Sequence, residues 1–66
     1  MRVRLNGEIR EVEDGLTAAR LLETLGVNPR TVAVAVNAAV IPRAGLDGRV
    51  LADGDKIEII EAVGGG

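Results

Sequence analysis

The sequence predicts an α+β fold, a mixed sheet of four to five strands crossed by a single helix. Three observations carry that expectation. An alternating run at the N-terminus leads into Asn6-Gly7, the strongest short hairpin signal. One short stretch has the apolar spacing of a helix. Two further apolar runs of strand character follow it, Thr31–Val36 and Lys56–Val63. A lone helix can cover only one face of a small sheet, which gives a two-layer arrangement.

Taken in order, Met1, Val3 and Leu5 alternate with Arg2, Arg4 and Asn6, the pattern of a half-buried strand. The return run from Glu8 to Glu13 is less regular, because Ile9 and Val12 sit three apart. A bulge near Gly7 or an early strand end would reconcile it. Asp14-Gly15 closes the hairpin unit, and Thr17 then makes a good N-cap. Leu16 and Leu21 are placed for a hydrophobic staple. The acidic half of a capping box is missing, since Arg20 stands there. Ala18, Leu21, Leu22 and Leu25 share one helical face, Gly26 stops the helix, and Pro29 follows shortly. So short a helix is not stable alone, so this face must pack on the sheet.

Val32, Val34 and Val36 define one face of the third strand, and Ala33 and Ala35 the other. Asn37-Ala38-Ala39 turns into Val40-Ile41, and Pro42 ends regular pairing. From Arg43 to Gly54 the chain reads as loop, with one short strand at Val50-Leu51. Asp53-Gly54-Asp55 turns into the last strand. Residues 1–63 thus read as one domain and 64–66 as a flexible glycine tail. If the last strand lies parallel beside the first, the sheet is a β-grasp. The last strand is then central, and the tail leaves from the most firmly held element.

Composition narrows the function. A domain of 66 residues has a small core, burying only ~60% of the surface its unfolded chain exposes. With no Cys, no His and no aromatic residue, Val, Ile, Leu and Ala must build it unaided. Eight basic and ten acidic residues are dispersed, so nucleic-acid binding has little support. No apolar run approaches the ~20 residues that span a bilayer, and Met1-Arg2-Val3-Arg4 leads into no signal-peptide core. No membrane partner and a cytoplasmic location are therefore expected.

The missing residue types exclude thiolate and imidazole chemistry and the ordinary zinc ligands. Thr17 and Thr31 have no suitable base beside them, and Asp53 and Asp55 read as turn formers rather than an acid–base pair. The chain is expected to be acted on by enzymes and not to be one, with no bound metal or cofactor. Gly64-Gly65-Gly66 alone leaves two readings open. It could be a thin thread ending in a reactive carboxylate, or a frayed terminus or linker.

A set of short pieces bears on that choice. They are Leu5-Asn6-Gly7-Glu8, Leu21-Leu22-Glu23, Val34-Ala35-Val36-Asn37, Val40-Ile41-Pro42-Arg43, the run from Asp53 to Ile60, and Val63-Gly64-Gly65-Gly66. Their order, over the whole length, resembles the ubiquitin-like sulfur carriers, specifically the thiamine-biosynthesis sulfur carrier (ThiS) family.

The resemblance implies that a ThiF-like adenylating enzyme uses ATP to activate the Gly66 carboxylate, with Gly64 and Gly65 threading its active site. A sulfur donor, such as a cysteine desulfurase, then forms a thiocarboxylate, and thiazole synthase accepts the sulfur. Other sulfur carriers (for molybdopterin or tRNA thiolation), a protein modifier and a plain β-grasp binding module remain open alternatives.

The outward face of the third and last strands is bare, and Ala33, Ala35, Ile60 and Ala62 are candidates for a shallow docking patch. Scattered surface residues are the ordinary alternative; the resemblance favours docking, because superfamily members engage partners through this face. Glu58 and Glu61 read as a solvated strand edge, and Arg43 as a loop salt bridge.

Overall fold

A computed structural model describes residues 1–61. Its elements are β1 (Arg2–Leu5), β2 (Glu8–Glu11), α1 (Ala18–Leu25), β3 (Val32–Val36), β4 (Ala39–Ile41), a 3-10 turn at Arg43–Gly45, and β5 (Lys56–Glu61). The five strands form one sheet in the order β2-β1-β5-β3-β4. Only β1 and β5 pair in parallel; the other neighbours are antiparallel. This is the expected β-grasp, with five strands, and β5 is central.

The first hairpin is tight. Asn6 (φ 47) and Gly7 (φ 85) both take the left-handed conformation that a two-residue loop of this twist needs. Leu5 then faces Glu8 directly, so no bulge is present, and β2 ends early at Glu11. Val12 leaves the strand and packs half-buried against the core, which explains its spacing from Ile9.

Thr17 caps α1 by accepting a hydrogen bond from the Arg20 N–H at 3.2 Å. Two further open donors of the first turn find partners far along the chain. The Ala18 and Ala19 N–H groups donate to the carbonyls of Arg49 (2.9 Å) and Leu46 (3.2 Å). The connector between β4 and β5 therefore satisfies the open N-terminus of the helix. At the other end Gly26 is left-handed (φ 71) and donates to Glu23, while Val27 donates to Leu22, a Schellman closure.

No strand forms at Val50-Leu51, contrary to the sequence expectation. Val50 makes a single isolated bridge to Thr17, where the helix begins at once and offers no further extended backbone. Leu51 instead sinks into the core beside Leu46.

Ala18, Leu21 and Leu22 of α1 lie against Val3, Leu5, Val34, Val36 and Ile57 of the sheet. Ile57, the second residue of the central strand, is fully buried. No helix among the described residues is long and apolar enough to cross a membrane.

Candidate functional site

β5 is fixed at its leading end by a network that begins with a buried carboxylate. Asp55, 8% exposed, accepts from Asn37 Nδ2 at 2.9 Å through Oδ1 and from the Ala52 N–H at 2.8 Å through Oδ2. Both oxygens are thus occupied, which offsets the cost of burying the charge. Asn37, itself left-handed (φ 53), accepts the Lys56 N–H through Oδ1 at 3.0 Å. Asp53 accepts the Arg2 N–H at 2.8 Å, tying the same turn to β1. Both acids are turn and clamp groups, as their sequence context suggests.

The trailing end of β5 loosens stepwise. Ile57 is buried, Glu58 and Ile59 are half-buried, and Ile60 and Glu61 are exposed. On one side β3 accompanies it as far as Glu61, which faces Val32. On the other side the paired backbone of β1 stops at Leu5, opposite Ile57. Beyond that point Asn6 Oδ1 accepts the Ile59 N–H at 2.8 Å. The central strand is therefore still held on both sides at Ile59, and by β3 as far as Glu61.

The registers also define the open sheet face. Ile60 lies opposite Ala33, Glu58 opposite Ala35, and Val40 opposite Ala35 from the other side. Arg4 lies between Ile9 and Lys56. Strand alternation puts all of these on the side away from α1. Ile60 (58% exposed), Val40 (70%) and Ile9 (62%) supply its apolar surface.

Of the expected patch, Ala33 and Ile60 are exposed together, and Ala35 is a correction. It sits on this face but is buried, its methyl group lying between the side chains of Glu58 and Val40. Val40 and Ile9, absent from the expected patch, are its most exposed large apolar residues. Their strand pairing would have shown it, but neither run alternates clearly. Ala62, Gly64, Gly65 and Gly66 lie outside the described residues.

Glu58 and Glu61 do not form one acidic edge, since alternation sends them to opposite faces. Arg43 opens the 3-10 turn and lines a shallow hollow with Glu23 and Asp47; no ion pair involving it occurs among the described residues.

Nucleophiles are scarce, and most are engaged. Thr17 caps the helix, Thr24 donates to the Arg20 carbonyl at 3.0 Å, and Thr31 donates to that of Asn28 at 3.0 Å. The N-terminal ammonium donates to the Val12 carbonyl at 2.8 Å and pairs with Asp14 at 3.1 Å. Lys56 is the single lysine and is exposed on the open face. No group of three or more His, Cys, Asp or Glu residues suited to a metal occurs among the described residues.

Comparison with known proteins places this geometry. The model of the ThiS family matches residues 3–66. A crystal structure of the thiamine biosynthesis protein ThiS from Geobacter metallireducens superposes with a TM-score of 0.88 at 32% identity, each chain covered completely. The sulfur carrier protein ThiS of Thermus thermophilus is 39% identical over 62 residues, covering 94% of this chain and 95% of its own length. A thiazole synthase of Paramagnetospirillum magneticum is 39% identical over all 66 residues. The chain spans only 20% of that enzyme's length.

Proposed function

The chain belongs to the ThiS family of small sulfur carriers, and from that membership we propose that it carries sulfur for thiazole formation in thiamine biosynthesis on the carboxyl group of Gly66. A terminal carboxyl is anionic at neutral pH. One of its oxygens attacks the α-phosphate of ATP in an adenylating enzyme of the ThiF type, and pyrophosphate leaves. The acyl adenylate now has a good leaving group. The outer sulfur of a donor persulfide, such as that of a cysteine desulfurase, displaces AMP to give an acyl disulfide. A second thiol attacks the donor's cysteine sulfur, forming a disulfide with it and releasing the thiocarboxylate. Thiazole synthase then takes the sulfur.

The observation that carries this reading is the family match running through residue 66 on a fold whose last described element, β5, is the central strand. Residues without Cβ can pass a slot closed to side chains, which is the role proposed for Gly64 and Gly65. The scarcity of free nucleophiles supports it further, because an activated acyl group on this chain meets few groups of its own that could intercept it.

Thiazole synthase is favoured as acceptor over molybdopterin or tRNA pathways because a thiazole synthase contains a stretch like this chain. The open face carrying Ile60, Ala33, Val40 and Ile9 is the proposed docking surface for the adenylating enzyme.

ATP–pyrophosphate exchange tests the proposal. The unmodified chain supports exchange with the adenylating enzyme, whereas deletion of Gly66 or Gly65→Val abolishes it and leaves thermal unfolding unchanged. Full exchange by either variant would overturn the assignment of Gly66.

A further inference from the structure

We infer that Asn6 is a positioning residue for the carrier end of the chain, acting through β5; this rests on the sulfur-carrier reading above. Turn chemistry accounts for its backbone, because Asn tolerates the left-handed conformation that the hairpin needs. It does not account for where the side chain goes. Asn6 Oδ1 reaches across to accept the N–H of Ile59 at 2.8 Å, a bond spanning 53 residues of sequence.

The geometry shows why that bond matters. The backbone N–H of Asn6 donates to the Ile57 carbonyl at 2.9 Å, completing the parallel ladder. At Gly7 the chain then turns away into β2, so no β1 backbone remains beside Ile59. The Asn6 amide oxygen stands where the next carbonyl of β1 would be. It lengthens the two-sided hold on β5 past the end of its neighbour.

Without it the Ile59 N–H would lose its partner, and β5 beyond Ile57 would be held by β3 alone. A strand fastened along one edge can pivot about that edge. The carboxylate borne by its extension would then be presented less consistently to the adenylating enzyme, while the docking face stays as it was. The consequence is a loss in turnover rather than in affinity.

Two substitutions separate the side chain from the turn. Asn6→Gly keeps the left-handed backbone without strain and removes the acceptor. Asn6→Asp keeps an acceptor oxygen and tolerates the same conformation. In Asn6→Gly, hydrogen exchange at the Ile59 amide is expected to accelerate about threefold to tenfold, the range that one net hydrogen bond is worth, with the Ile57 amide unchanged.

In ATP–pyrophosphate exchange the same variant is expected to lower kcat by a similar factor at constant KM, and Asn6→Asp to restore it. Unchanged protection at Ile59, or fast exchange there with wild-type kcat, would overturn the inference. A higher KM at constant kcat would also overturn it, placing Asn6 in the docking surface. If the unmodified chain supports no exchange at all, the carrier reading fails and the positioning role with it. Wild-type activity matched by Asn6→Gly would overturn the positioning role alone.

Discussion

At its leading end β5 is clamped from both sides by Asp55, Asn37 and the β1 backbone, and its second residue, Ile57, is completely enclosed. At its trailing end the same strand keeps β3 on one side and the Asn6 amide on the other, and its last two residues are exposed. One strand therefore serves two purposes. On the proposed carrier function its first half fixes the fold and its second half presents the carboxyl-bearing end. Sensitivity of stability to substitution should therefore fall along its length while sensitivity of partner recognition rises.

The largest expected effect lies at Ile57. Truncation to Ala in Ile57→Ala should destabilise the domain by ~2–5 kcal/mol in urea unfolding, since the site is walled by both sheet and helix and cannot easily collapse. A loss below that of a surface substitution would mean that the leading end is not the stabilising half.

Asp55→Ala comes next. It leaves Asn37 Nδ2 and the Ala52 N–H without acceptors and should lower stability by ~1–3 kcal/mol. Retention of the wild-type urea midpoint would show that the clamp is not structural.

The smallest effect on stability is expected at Ile60→Asp, within ~0.5 kcal/mol, as for surface positions generally. The same substitution should clearly weaken association with the adenylating enzyme in a binding titration. A large stability loss there would erase the contrast between the two halves.

The contrast also shows which features the sequence carried. Thr17, Gly26 and the alternation of Val32, Val34 and Val36 act on near neighbours, and their residue types state their roles. Groups that act over long separations were not legible. The amide of Asn37 is a turn residue by type, yet it meets a carboxylate 18 residues away. Asn6 likewise looks spent in its hairpin, and its bond to Ile59 appears only when β1 and β5 are laid side by side.

The proposed docking patch was half legible for a related reason. Alternation placed Ala33 and Ile60 on the open face, but only cross-strand register shows that Val40 covers Ala35 and is itself exposed. The strand expected at Val50-Leu51 does not form, because the one bridge Val50 makes among the described residues is to Thr17, where the helix begins.

Intact-mass measurement tests the central claim most directly. The chain is incubated with ATP, the ThiF-type adenylating enzyme and a sulfur donor, beside a variant lacking Gly66. The account predicts replacement of one oxygen by one sulfur in the unmodified chain and no change in the variant. An unaltered mass, with the adenylating enzyme shown active on another carrier, would contradict it.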